Sequence, residues 1–181
     1  MAMTVELSEL TAKTSSDTAE FKPLPDGVYY GHITDVQEPI TDLKTKYGTV
    51  DILKLEVTIK DGKNGFDGRK VWPSVFITKE DSDGNEPEPS ANLRLYHFLE
   101  AAGYPLEKKE QTIGEVKKDC IVIPTSHDEI DSDNLVGKPV KITTKTREWE
   151  KDGETKSAPD VKYWDTWKDG TPLESDDLLP F

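Results

Sequence analysis

Residues Thr49 to Lys60 read TVDILKLEVTIK. Leu53, Leu55, Val57 and Ile59 alternate with Lys54, Glu56, Thr58 and Lys60. A period of two places the aliphatic side chains on one face and the polar ones on the other. That is the pattern of a half-buried β-strand, and it cannot form one helical stripe. A chain built around such a strand must find partner strands and a cover for the apolar face. KDGKNG follows, and both Asp61-Gly62 and Asn64-Gly65 suit a turn with positive φ.

Other segments supply the partners. GVYYGHITDVQ, Gly27 to Gln37, predicts a first strand. Its apolar residues Val28, Tyr30, Ile33 and Val36 change phase near Gly31, so a bulge or bend is expected there. GRKVWPSVFIT, Gly68 to Thr78, predicts a third, with Val71, Val75 and Ile77 on the apolar parity. Pro73 has no N–H to donate, so this strand is expected to be bulged or at an edge. Ser90 stands where it could cap a helix through ANLRLYHFLEAAG, with faces marked by Leu93, Tyr96 or His97, and Leu99 or Glu100. Gly103 and Pro105 end that helix. KPVKITTKTREWE, Lys138 to Glu150, predicts a fourth strand with Val140, Ile142, Thr144 and Thr146 on one face. KDGETKSAPD reads as a long hairpin connection to a fifth, Val161 to Trp167. Between helix and fourth strand, Leu106 to Asp133 offers one short apolar run, Cys120 to Ile123, a candidate short strand, and the rest reads as acidic loop.

The order is strand, strand, strand, helix, strand, strand. It predicts a mainly β fold, a five-stranded OB-fold Greek-key barrel with one helix between strands three and four. A small mixed sheet with one helix shares this order. At 181 residues, one domain with tails is expected. The limits are a flexible N-terminal arm at 1–22, a domain at 23–168 with an acidic insertion at about 104–133, and a disordered acidic tail at 169–181.

Net charge is -13, which as a whole opposes contact with phosphates. Its distribution is uneven. Residues 78–133 carry 6 positive and 14 negative charges, net -8. Residues 134–168 carry 8 and 6, net +2, and residues 169–181 carry 0 and 4, net -4. Acid collects in the middle and the tail, while the strands stay near neutral or slightly basic.

The strand faces turned from the core carry the candidate site. They offer Lys70, Trp72 and Phe76 on the third strand, and Lys141, Lys145, Arg147 and Trp149 on the fourth. The fifth and its connection add Lys156, Lys162, Tyr163, Trp164 and Trp167. All four tryptophans of the chain lie here. Rings interleaved with cations suit a single-stranded nucleic acid, because bases stack on rings whatever their sequence and cations follow the phosphates. A Trp on the outer parity of a strongly twisted small barrel can equally be buried at a barrel end or under a loop. Tyr47, in the KTKYG loop with Lys44 and Lys46, is a candidate for a mobile binding loop. Tyr29 and Tyr30 are weaker candidates, and one of them is expected in the core.

No catalytic residue, metal site or cofactor is expected. The chain lacks GxGxxG, Walker, HExxH and GxSxG motifs. His32, His97 and His127 stand far apart, and the acidic pairs Asp81/Asp83 and Asp131/Asp133 lack the spacing of a calcium loop. One cysteine, Cys120, makes no internal disulfide, which points to a reducing cytoplasm. MAMTVELSEL lacks the features of a secretion signal, and no apolar run approaches the ~20 residues of a membrane span.

The chain ends ESDDLLPF. Asp176, Asp177, Leu178, Leu179, Pro180 and Phe181 resemble the C-terminal tip of bacterial single-stranded DNA-binding proteins, which runs from consecutive aspartates through two apolar residues to Pro-Phe. The leucines and the short aspartate run depart from that pattern, and the likeness covers about six residues. The arm and the acidic insertion make the body look more like the divergent single-stranded DNA-binding proteins of tailed bacteriophages.

The resemblance implies a non-enzymatic protein that coats single-stranded DNA in phage replication, recombination and repair. It also implies a tip that docks on proteins of those processes, with Phe181 in an apolar pocket and its carboxylate on a basic residue. The location implied is the cytoplasm, that of the host for a phage-encoded chain. The net -4 tail is also expected to compete with DNA for the cationic face. The alternative is an adaptor or structural phage protein whose aromatic face binds protein. A homo-oligomer is left open, and no membrane partner is expected.

Overall fold

The computed structural model describes residues 24–60 and 65–174. The expectations for the arm at 1–22 and for Asp176 to Phe181 lie outside the described residues. The described chain is mainly β with a single α-helix. Its elements are β1 (Gly27–Val36), β2 (Ile40–Thr45), β3 (Gly48–Ile59), β4 (Lys70–Val71), β5 (Ser74–Glu80), α1 (Leu93–Ala101), β6 (Lys108–Ile113), β7 (Val116–Ile121), β8 (Pro139–Lys151) and β9 (Glu154–Asp165).

β3 is the alternating strand that the sequence marks, and it holds the main sheet together. One edge pairs with β1 through Leu55 to Ile59 and with β2 through Gly48 to Ile52. The other pairs with β5 through Thr49 to Lys54 and with β4 through Val57 and Thr58. β1 then pairs with β8, and β8 with β9, all antiparallel. Among the described residues β5 and β9 do not pair, so the sheet is open rather than a closed barrel. α1 touches both of these strands and lies across the gap.

The core forms on one side of the sheet. Leu53, Leu55, Val57 and Ile59 of β3 meet Ile33, Val75, Ile77, Val140 and Ile142 there, each less than a tenth exposed. α1 covers them with Leu95, Phe98, Leu99 and Ala102, a helical i, i+3, i+4, i+7 stripe. This corrects the expected helix faces, because Leu93 is half exposed. Ser90 is not the cap either. Residues Pro89–Asn92 form a 3-10 turn, and Asn92 precedes the α-helix. The Asn92 amide instead holds β5: its Oδ1 accepts from Thr78 N at 2.8 Å and its Nδ2 donates to Thr78 O at 3.0 Å.

Several local expectations change. The bulge in β1 falls between Ile33 and Asp35, past Gly31. Gly31 serves close approach instead, since a Cβ there would stand 2.6 Å from the Thr58 carbonyl oxygen. Pro73 splits the third expected strand into β4 and β5 at the sheet edge. The presumed loop before β3 contains β2, so Tyr47 stands at a hairpin tip. The presumed long connection before the fifth strand is a two-residue turn, Asp152-Gly153, with φ of 54° and 81°. Lys151 pairs with Glu154 across it, and β9 starts at Glu154. Pro159 sits within β9 at the outer edge, where a missing N–H costs no ladder bond. The expected acidic loop at 106–133 contains the β6–β7 hairpin, which turns at Gly114 with φ 68°.

Residues 169–174 stay on the body. Thr171 O lies 2.8 Å from His32 Nε2, and Leu173 N donates to Gly137 O at 2.8 Å. Ordered contacts therefore reach past the expected start of the tail. Among the described residues, no helix is long and apolar enough to cross a membrane.

Asp51 is the one acid on the apolar parity of β3, and its side chain is fully buried. Its Oδ1 accepts from Asp42 N at 2.9 Å, and its Oδ2 lies 3.0 Å from His127 N and 2.7 Å from His127 Nδ1. Lys79 Nζ stands 3.6 Å away. Burial alone would raise the carboxyl's pKa. The hydrogen bonds from His127 and Asp42, with the Lys79 charge, outweigh burial and hold it down to about 2. One carboxylate thus joins the β2 hairpin, β5 and the loop after β7.

Because the folded-state pKa is lowered, this stability is present above the unfolded value of 3.8 and is lost as pH falls through about 2. Asp51→Asn should cost about 2 kcal/mol at neutral pH. Urea unfolding of both proteins should show that gap at pH 7 and a much smaller one at pH ~2. An equal gap at both would contradict this role for the charge.

Candidate nucleic-acid interface

The side of the sheet away from α1 is built by the opposite parity of the same strands. Register places Thr58 between Lys70 and His32, Ile52 beside Phe76, and Lys54 beside Ser74. Further across, Lys141 lies between Tyr30 and Asp165, and Thr143 between Val28 and Tyr163. Directly opposed residues share a face, so Lys70, Phe76, Lys141 and Tyr163 belong to one surface. Phe76 is 53% and Tyr163 56% exposed. Neither ring belongs to the buried core, and each leaves more than half of its surface to water.

Trp72 joins this surface through Glu56. It is 60% exposed, and its side chain stands close enough to the Glu56 carboxylate to favour the charged form. Lys70 Nζ reaches Glu56 Oε1 at 3.0 Å and Thr34 Oγ1 donates to the same oxygen at 2.8 Å. Partial burial pushes the Glu56 pKa up, but Lys70, Thr34 and Trp72 together leave it lowered. Glu56 therefore stays charged and fixes a ring beside a cation.

Two hairpins extend past opposite ends of β1. Beyond Val36, the β2–β3 hairpin carries Tyr47 at its tip, 74% exposed, with Lys46 Nζ 4.9 Å from the ring centroid. Beyond Gly27, β8 and β9 continue as a two-stranded ribbon. One ribbon face bears Lys145, Arg147 and Trp149, with Lys156 paired to Trp149. That face also carries Lys151 and the acids Asp160 and Glu154, which leaves it net positive, while the other bears Glu148 and Glu150 with no cation, so the ribbon is sided by charge. The Arg147 guanidinium stands 5.2 Å from the Trp149 ring, and Lys162 Nζ 5.4 Å from the Tyr163 ring.

Not every candidate faces this way. Trp164 lies opposite Ile142 and packs edge-on against Phe98, with centroids 4.7 Å apart. It belongs to the core side, because β9 has an extra residue, Lys162, between Val161 and Tyr163 opposite the Thr143–Thr144 step of β8, and this shifts the parity of β9. Trp167 is half-buried, with its ring 5.3 Å from both Tyr30 and His32. Tyr29 is the core member of its pair, 6% exposed, donating its hydroxyl to Pro25 O at 2.7 Å. Tyr30, the weaker candidate of the pair that stays outside the core, is 41% exposed on the face, and Lys54 is a face residue that the sequence left aside.

The acidic pairs cap turns. Asp81 Oδ1 accepts from Asp83 N and Asn85 N at 2.9 Å, and Asp131 Oδ1 from Asp133 N at 3.0 Å. Among the described residues, no group of three or more His, Cys, Asp or Glu side chains is placed to hold a metal ion. The chain matches no protein-family model and no curated protein.

Trp72 and Trp149 are exposed beside cations, while Trp164 packs on the core. At constant ionic strength, iodide should therefore quench Trp fluorescence more than caesium does. Replacing Trp72 and Trp149 by Phe should remove most of that excess, and Trp164→Phe should leave it. Loss of the excess in Trp164→Phe alone would contradict the assignment.

Proposed function

We propose that this chain binds single-stranded DNA with little sequence preference, as a non-enzymatic protein of phage type. The observation that carries this reading is the set of exposed rings, Tyr47, Trp72, Phe76, Trp149 and Tyr163. Four of them stand beside Lys or Arg, and none is needed for the core. Bases stack on such rings at ~1–3 kcal/mol each, and the cations follow the backbone.

We also propose that the sheet is an OB barrel opened at one seam. Its first, second, third, fourth and fifth strands are then β1, β3, β4 with β5, β8 and β9. α1 lies between the third and fourth and spans the seam. OB domains grip oligonucleotides on the face of strands two and three and with the loops between strands one and two and between four and five. Those places hold Lys70, Trp72 and Phe76, then Lys46 and Tyr47, then Arg147, Trp149 and Lys156. Lys141, Lys145, Lys162 and Tyr163 continue the path. The coincidence of fold position and chemistry supports both halves of the proposal. Trp164 drops out as a stacking residue.

In this reading Asp176, Asp177, Leu178, Leu179, Pro180 and Phe181 form the hook for replication, recombination and repair proteins. An aromatic anchor with flanking carboxylates suits a basic-rimmed apolar pocket. The same acids compete with DNA for the face. A chain ended at Glu174 keeps the Thr171 and Leu173 contacts and should bind single strands more tightly at low salt. Unchanged or weaker binding would remove the tail from this account.

Anisotropy of a labelled dT oligomer of about 30 nucleotides tests the face. Trp72→Ala and Tyr163→Ala should each weaken binding roughly tenfold, the equivalent of one lost stack. Trp164→Ala should instead lower stability by roughly 2 kcal/mol or more and leave affinity unchanged under folding conditions. Unaltered affinity in the Trp72→Ala/Tyr163→Ala double variant would overturn the proposal.

A further inference from the structure

A cleft of about 210 Å³ opens where α1 meets the root of the β8–β9 ribbon. Arg94 enters it from the helix, Lys145 and Arg147 from β8, and Lys162 from β9. Asp160, across from Lys145, is the one acid in its lining. Asp26 stands nearby: its carboxylate accepts from Thr146 N at 2.6 Å and Thr146 Oγ1 at 2.8 Å, and it feels the Lys145 charge. Among the described residues, none of the four cations forms an ion pair. Three separate elements thus bring four positive charges to one small cleft in a chain of net charge -13.

The geometry points to a phosphate seat in this cleft, holding the backbone of a single strand after it leaves the ring-bearing face. This rests on the single-strand reading above. The cleft is smaller than the ~300 Å³ at which pockets for whole small molecules begin, but it is open and cationic, as a phosphodiester needs. Arg offers a planar fork that fits phosphate oxygens, and Lys a point charge. The site is also continuous with the rings. Arg147 lies against Trp149 and Lys162 against Tyr163, so a base on either ring brings its own phosphate toward the cleft. The strand's path then turns past β9 toward Arg94, a helix residue remote from the sheet face.

Salt dependence counts such contacts, because log K falls against log salt with a slope of about -0.7 per phosphate neutralised on a single strand. With a dT oligomer of about 30 nucleotides, Arg94→Ala should make the slope shallower by about 0.7, a change of about fivefold in affinity per decade of salt. Quenching of Trp fluorescence at saturation should not change, and Arg94→Lys should restore the slope. Lys162→Gln, on a different element, should show the same loss. With a dT oligomer of about 8 nucleotides, within the ~4–16 that one OB fold occupies and so taken up by the ring face alone, wild type and Arg94→Ala should have equal slopes.

Equal slopes for wild type and Arg94→Ala on the long oligomer would overturn the seat while leaving the ring face standing. An equal loss on both lengths would overturn its place as a separate stretch of the path. If wild-type protein fails to bind either oligomer, the single-strand reading itself falls, and the seat with it.

Discussion

β3 pairs with four other strands, and that single strand sets what the rest of the chain can do. Its Leu53, Leu55, Val57 and Ile59 must be covered, and β1, β5, β8 and α1 bring the cover. Full burial of an aliphatic side chain is worth roughly 1.5–3 kcal/mol. A slip of one residue would turn every one of these side chains outward. The same alternation fixes the other face: once the leucines point in, Lys54, Glu56 and Thr58 point out, and the neighbouring strands must present Lys70, Phe76, Lys141 and Tyr163 beside them. Core and candidate interface are thus two consequences of one register.

Electrostatics then arranges what register exposes. Asp51 interrupts the apolar face at the end where the β2 hairpin, β5 and the loop after β7 converge, and its hydrogen bonds tie them together. Glu56 does a similar service on the outer face by holding Lys70 and Trp72. Lys79, engaged by Asp42 and Asp51, is taken out of the cationic surface, and its pKa is raised by those partners. Cations still outnumber acids along the ring face and the ribbon, where Glu56, Asp165 and Asp160 stand beside Lys70, Lys141 and Lys145, in spite of the strongly negative chain.

The main strands and the helix were legible because period and punctuation agree with the tertiary result. β3 reads straight from its alternation, and Gly103 ends the helix with a φ of 69°. Failures came where tertiary context decides. β2 has no buried residue, so it leaves no hydrophobic signal. β6 and β7 likewise lack a buried face, and only the end of β7, at Cys120 and Ile121, falls in the apolar run that the sequence offered as a strand. Pro159 disguised the long ribbon, yet Asp152-Gly153 marks a tight hairpin. On the third and fourth strands parity put Lys70, Phe76, Lys141 and Arg147 on the outer face, where register also places them; on the fifth, the neighbours Tyr163 and Trp164 were taken together, and only the register with β8 separates them. Arg94 carries no signal at all, since only the packing of α1 brings it to the ribbon. Asp51 did carry one: an acid on the apolar parity demands partners.

The central claim is that rings on the outer face stack on bases while their cations meet phosphates. Intrinsic Trp fluorescence of the full chain, titrated with a dT oligomer of about 30 nucleotides at low and high salt, tests it most directly. The account predicts strong quenching at low salt, with the midpoint moving to higher oligomer concentration as salt rises. Absence of quenching at low salt, in the full chain and in a chain ended at Glu174, would contradict it.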